Sequence, residues 1–124
     1  MRVRGCLFGF AVLMTTTAAA KQPLSIHASP AVAFSPANLV INTRIEPDPG
    51  NRAMEIVANS DQFYRSSTIA LEGDRAPRAT RVEYRSLPPG QYEVTVALFG
   101  AGGQQRARAT THINVIESAA GSAR

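Results

Sequence analysis

The chain has 124 residues, a formal net charge of +4, a single cysteine and no tryptophan. Its length fits one small domain and excludes two. Two of the positive charges, Arg2 and Arg4, lie in a segment that we expect to be removed, and the small excess that remains gives no argument for nucleic acid as a partner.

The first 20 residues have the features of a secretory signal peptide: a basic start, an apolar run at 6–14 and small residues before Lys21. An apolar run of about nine residues is far shorter than the roughly 20 needed to cross a bilayer. We therefore predict a cleaved signal peptide at 1–20, one domain at 21–117 and a disordered tail at 118–124. The mature chain, in the periplasm or outside the cell, then has no cysteine, which excludes disulfides and thiolate metal sites.

Short segments that alternate apolar and polar residues follow, separated by clusters of Pro, Gly, Asn and Asp. No segment keeps apolar residues at helical spacing for three turns. The first segment is expected at a sheet edge because Pro23 and Pro30 bracket it, and proline cannot donate to a ladder. The predicted strands, in chain order, are 24–28, 38–45, 52–60, 63–73, 80–86, one within 87–100, and 106–116.

Each predicted strand has one apolar and one polar face, which fits two sheets packed face to face. We therefore predict an all-β fold, a single two-sheet antiparallel sandwich of about seven strands with immunoglobulin-like, fibronectin type III-like character. In LPPGQY, Gly90 permits a turn and Tyr92 follows at the start of a strand. This spacing is typical of a tyrosine corner, in which the tyrosine hydroxyl bonds back to the backbone of the turn.

Four segments occur in this order along the chain: Tyr64-Arg65, LEG (71–73), VEYRSLPPGQYEVTV (82–96) with Tyr84 and Tyr92, and INVI (113–116). With these segments the chain resembles the triple-tyrosine (Y_Y_Y) domain over about residues 62–117. That sandwich module usually follows a β-propeller in the periplasmic sensor half of bacterial two-component regulators. The tryptophan that commonly follows the glycine of LEG is absent here. Because the 124 residues include no propeller, membrane helix or kinase, the resemblance implies a free-standing binding or scaffolding role in a bacterium.

The sequence predicts no enzyme and no cofactor. His27 and His112 are the only histidines, and no serine lies on a glycine-flanked elbow. The carboxylates of Glu55, Glu83 and Glu93 fall on the outward faces of different predicted strands, where side chains are usually solvated. Nothing in this pattern suggests a catalytic geometry.

The two histidines raise one alternative function. If the first and last strands pair, His27 and His112 come together, and two imidazoles without a third ligand make at best a weak copper or zinc site. The chain would then be a periplasmic copper- or zinc-handling protein. We favour a surface histidine pair without metal, because the other usual ligands of such proteins are missing.

Two surfaces are candidates for binding. If the second and fifth predicted strands are neighbours, Arg44, Arg81 and Arg85 share an outer face, and guanidinium groups suit carboxylates and phosphates. An ordinary solvated sheet face is the alternative. The stretch QFYRSST (62–68) places Tyr64 and Arg65 on a predicted edge strand, either as a recognition edge or with one aromatic ring that simply closes the sandwich.

The main prediction is therefore an exported, non-catalytic binding or scaffolding domain that presents a sheet face or an edge to a partner. That partner is expected to be an envelope or extracellular protein or an acidic glycan. A further alternative is a self-associating adhesion or filament subunit, in which edge strands of different copies pair.

Overall fold

The computed structural model describes residues 22–118, so the predicted signal peptide and most of the predicted tail lie outside the described residues. Within this range no helix is long and apolar enough to cross a membrane. One short 3-10 turn is present at Gly73–Arg75, and the remaining regular structure is all strand. The strands are β1 (Leu24–Ser29), β2 (Val32–Phe34), β3 (Ala37–Ile45), β4 (Ala53–Asn59), β5 (Tyr64–Ala70), β6 (Ala79–Leu87), β7 (Gly90–Phe99) and β8 (Gln105–Ile116).

These strands form two sheets. One has three strands in the order β1-β3-β6, and the other has five in the order β2-β8-β7-β4-β5. All neighbours are antiparallel except β2 and β8, which are parallel. The prediction of an all-β, immunoglobulin-like sandwich is thus confirmed, and β1 lies at a sheet edge as expected.

The described residues contain one strand more than the seven predicted. The additional strand, β2, has only three residues between Pro30 and Pro36. Three residues are too few to show the alternation by which strands are recognised in a sequence. Its partner is the parallel strand β8 at the other end of the domain, so no local turn marks the pairing either.

The core lies between the two sheets and follows the predicted alternation. On β3, Leu39 and Ile41 have no exposed surface, and on β4 the same holds for Met54 and Ile56. Complete burial of one such side chain contributes about 1.5–3 kcal/mol. The predicted apolar face of each of these strands and of β7 is therefore the buried one, and the buried residues form one continuous cluster.

Two tyrosine hydroxyls connect parts of the sandwich. The Tyr92 hydroxyl donates to the Pro88 carbonyl at 2.7 Å, which is the bond that the tyrosine-corner interpretation requires. The Tyr84 hydroxyl, on β6, donates to the Ile56 carbonyl of β4 at 3.1 Å and lies 2.8 Å from Ser67 Oγ of β5. Tyr84 therefore joins the three-stranded sheet to the five-stranded sheet.

The buried tyrosines make stability sensitive to alkaline pH. Burial raises the pKa of Tyr84 above its ordinary 10.0, although the Ser67 hydrogen bond and the Arg65 charge act in the opposite direction. Burial also raises the pKa of Tyr92. As the pH rises, the unfolded chain loses these protons before the folded chain does. The contribution of the two protonated hydroxyls to the free energy of unfolding is complete below the tyrosine pKa of the unfolded chain. It is lost as the pH rises through the higher pKa values of the folded chain.

We therefore expect the free energy of unfolding, measured by urea titration, to fall steadily with pH above about 10. A Tyr84→Phe, Tyr92→Phe double variant, which is less stable at neutral pH, should show a flatter decline over the same range. An equally steep decline in the double variant would assign the effect to other groups.

Candidate functional site

The outer face of the three-stranded sheet brings the predicted arginines together. Because β3 and β6 pair antiparallel, with Arg44 opposite Ala79 and Asn42 opposite Arg81, the two arginines occupy adjacent rows of this face. Both are exposed, and within residues 22–118 neither makes an ion pair. Their guanidinium groups are therefore available to a ligand in solution.

Arg85 lies further along β6 on the same face. Its Nη2 is 3.4 Å from Glu83 Oε1, and the Arg85 side chain is 74% exposed. An ion pair this accessible to water contributes little to stability, so it restrains Arg85 only weakly. Glu83 offsets one charge, and we define the basic face by its three arginines, Arg44, Arg81 and Arg85.

The structure does not bring the two histidines together. β1 pairs with β3, and β8 pairs with β7 and β2, so the premise that the first and last strands pair is wrong. His27 lies opposite Asn42 on the outer face of the three-stranded sheet, and His112 lies opposite Glu93 on the outer face of the five-stranded sheet. Across residues 22–118 no group of three or more His, Cys, Asp or Glu side chains is placed to hold a metal ion.

The predicted recognition edge is β5, which is an edge strand of the five-stranded sheet. Phe63 packs edge-on against Tyr92, with ring centroids 6.1 Å apart, and so closes the sandwich at this point. The Arg65 guanidinium lies 5.4 Å from the Phe63 ring centroid and 5.7 Å from that of Tyr84. Tyr64 instead projects outward with 61% of its surface exposed.

A transverse row of side chains, which the sequence did not predict, crosses the outer face of the five-stranded sheet. Tyr64 of β5 lies opposite Asn59 of β4, Asn59 lies opposite Glu93 of β7, and Glu93 lies opposite His112 of β8. Neighbouring strands are about 4.8 Å apart, so the four side chains span about 14 Å. We call this set the polar row.

An open cavity of about 470 Å³ adjoins the polar row and includes three of its members. A second, smaller hollow on the same face shares Asn59 and Glu93 with it. Thr95 and Ala97 of β7 lie on this outer face but are only 8% and 4% exposed. Among the described residues no further strand packs on this face, so the side chains of the neighbouring strands cover them. Longer side chains on β4 and β8 therefore form walls above a floor of small residues. The 470 Å³ cavity is lined by Ala31, Asn59, Ser60, Asp61, Gln91, Tyr92, Glu93, His112, Ile113 and Asn114.

Glu55 and Glu93 of this face are not arranged as a catalytic pair. Glu55 lies opposite Ala97, whereas Glu93 lies opposite Asn59. The two carboxylates are therefore in different rows of this face, with one row between them. Glu93 Oε2 is 3.9 Å from His112 Nε2, with both side chains more than half exposed. Such groups can donate and accept hydrogen bonds to a ligand from water, whereas a nucleophile and its base require closer contact.

No protein-family model matches the chain, and no curated protein sequence matches it. Several solved structures share its fold. One is a superoxide reductase (neelaredoxin) from Ignicoccus hospitalis, with a TM-score of 0.60 and 13% identity over 76% of this chain and 80% of that one. Another is the sulfur carrier protein SoxY from Chlorobium limicola f thiosulfatophilum, with a TM-score of 0.55 and 18% identity over 77% and 80% of the two chains.

Fibronectin(III)-like modules of Clostridium thermocellum CbhA also match, with a TM-score of 0.52 and 13% identity over 77% of this chain and 98% of theirs. At such identities the likeness shows the fold alone. The fold is therefore that of immunoglobulin-like and fibronectin type III-like sandwiches, and none of these three structures supports the triple-tyrosine resemblance.

Proposed function

We propose that this chain is an exported, non-catalytic binding domain that presents its basic face to an acidic partner in the cell envelope. The observation that supports this proposal is the placement of Arg44 and Arg81 in adjacent rows of one exposed face, without ion pairs among the described residues. Guanidinium groups bind carboxylates and phosphates in a two-pronged geometry. Acidic sugars of a glycan carry such groups at repeated intervals.

The strands under the basic face make it rigid. Arg44 lies on β3, the central strand of its sheet, and its neighbours Thr43 and Ile45 are buried in the core. A ligand that binds here does not have to order the backbone, so less conformational entropy is lost on association. His27 and Asn42 lie in the same row as Arg81 and add further groups able to donate hydrogen bonds.

A narrower family assignment is part of the same proposal. The tyrosines of the triple-tyrosine resemblance lie on β5, β6 and β7, and Tyr84 and Tyr92 are the two that connect the sandwich internally. A free-standing relative of that module would serve as a binding or scaffolding domain in the periplasm or outside the cell. The signal-peptide features of residues 1–20 support export.

Charge reversal tests the basic face. An Arg44→Glu, Arg81→Glu double variant should lose at least tenfold in affinity for polygalacturonate, measured by affinity electrophoresis, because each arginine contributes a charge-assisted contact. Dextran, a neutral polysaccharide, should not retard the wild-type chain through this face.

The matched control is Arg75→Glu, which changes the net charge at an exposed arginine of the 3-10 turn, outside the strands of both sheets. Polygalacturonate should retard the Arg75→Glu variant as much as it retards the wild type, apart from a small effect of net charge. If the double variant binds polygalacturonate as well as the wild type does, or if Arg75→Glu loses as much per charge, the basic face is not the site.

A further inference from the structure

We propose that the polar row, Tyr64, Asn59, Glu93 and His112, is a second binding site and that its ligand is a neutral glycan. It lies on the outer face of the five-stranded sheet, whereas the basic face belongs to the three-stranded sheet. The two sites therefore occupy opposite sides of the sandwich. This inference does not depend on the proposed function and is tested separately from it.

The first argument is the shape of the face. The row adjoins the 470 Å³ cavity, a volume within the usual range of about 300–1,000 Å³ for small-molecule sites. The floor of the adjacent hollow is formed by Thr95 and Ala97, whose small side chains leave room between the β4 and β8 walls. A ligand lying along the row, across the strands, would meet side chains from four strands.

The second argument is the hydrogen-bonding chemistry. Asn59, Gln91 and Asn114 line the cavity, and within residues 22–118 their side chains make no hydrogen bond. Each amide offers both donors and an acceptor at one point. A ligand that satisfies them must itself donate and accept at closely spaced positions. Hydroxyl groups on adjacent carbons of a sugar do this.

The third argument concerns charge. The carboxylates of Asp61 and Glu93 both line the cavity, and no lysine or arginine is among its lining residues, whereas Arg108 lines the adjacent hollow. Two carboxylates accept hydrogen bonds from hydroxyl groups well, but they repel uronate, sulfate and phosphate groups. The site therefore favours an uncharged sugar, in contrast to the basic face.

The fourth argument is the aromatic ring at the end of the row. Tyr64 is 61% exposed, and it lies directly opposite Asn59 across β5 and β4. An exposed tyrosine ring offers an apolar surface with a polar tip. The C–H face of a pyranose ring can pack on that surface while its hydroxyl groups reach the Asn59 amide.

Isothermal titration calorimetry with four neutral hexasaccharides, cellohexaose, xylohexaose, mannohexaose and maltohexaose, tests the proposal. At least one should bind, and both Tyr64→Ala and Asn59→Ala should weaken that binding about tenfold or more. Both residues are on the surface, so the variants should fold, which urea titration verifies. Thr68→Ala, on the same face of β5 but outside the row, is the matched control and should bind within twofold of the wild type.

Four results would overturn the inference. The first is the absence of binding for all four sugars at millimolar concentration. The second is binding that Tyr64→Ala and Asn59→Ala leave unchanged. The third is binding of polygalacturonate that depends on the polar row, since it would refute the neutral character of the ligand. Loss of hexasaccharide binding in the Arg44→Glu, Arg81→Glu variant alone would also overturn it, because the sugar would then bind the basic face.

Discussion

Replacement of Tyr92 by alanine is expected to lower the free energy of unfolding by about 3–5 kcal/mol. The ring has no exposed surface, packs against Phe63 and carries the hydroxyl that donates to the Pro88 carbonyl. Removing it leaves a cavity in the core and an unsatisfied carbonyl at the entry to β7. Urea denaturation followed by circular dichroism measures the change, which is a large part of the roughly 5–15 kcal/mol typical of a domain.

Two further variants separate the contributions at Tyr92. Tyr92→Phe retains the ring and removes only the bond to the Pro88 carbonyl, so we expect a loss of about 1 kcal/mol. Tyr64→Ala removes an exposed tyrosine from the surface and should change stability by less than about 0.5 kcal/mol. A Tyr92→Phe variant as stable as the wild type would show that the corner hydrogen bond contributes nothing, and a loss at Tyr64 as large as that of Tyr92→Ala would contradict the assignment of Tyr64 to the surface.

Asn51→Ala is expected to cost about 2–3 kcal/mol of stability, because its amide is a buried junction between three parts of the chain. The side chain is 1% exposed. It donates from Nδ2 to the Glu46 carbonyl at 3.0 Å and accepts at Oδ1 from Arg106 Nε at 3.2 Å. Its own carbonyl accepts from the Gly73 N–H at 2.9 Å. The variant leaves the Glu46 carbonyl and the Arg106 N–H without these partners.

Urea titration of Asn51→Ala should be compared with that of Asn42→Ala, which removes an exposed asparagine from β3 and should cost less than about 0.5 kcal/mol. Arg106 also pairs with Asp48 at 3.1 Å, so it shares the network. The Asn51→Ala, Arg106→Ala double variant should therefore lose less than the sum of the single losses. Strictly additive losses would show that the two side chains do not interact.

The sequence predicts most of this fold because alternation is strong where strands are long and half-buried. β7 presents an unbroken series of inward apolar positions, β3 presents one that is interrupted only by Thr43, and the structure buries both. β2 could not be predicted, since a strand of three residues has no detectable period and its pairing with β8 depends on the whole domain. The error over His27 and His112 arose similarly, from an assumed pairing of distant strands.

The basic face and the polar row also differ in how far the sequence could predict them. The basic face follows from two strands and one assumption, that β3 and β6 are neighbours, so Arg44 and Arg81 could be grouped from the sequence. The polar row needs the register of three strand pairs to be known, from β5 through β4 and β7 to β8. A shift of one residue in any of them would move Asn59 or Glu93 to the other side of the sheet.

The parallel pairing of β2 with β8 gives the domain a particular response to mechanical load. β2 follows β1 near the start of the described chain, β8 is its last strand, and the two run in the same direction. Once β1 has separated from β3, tension between residues 22 and 118 would therefore pull β2 and β8 past each other along their length. Their hydrogen bonds would be sheared together and could not be peeled apart one at a time, so this contact would resist extension until all of its bonds broke at once.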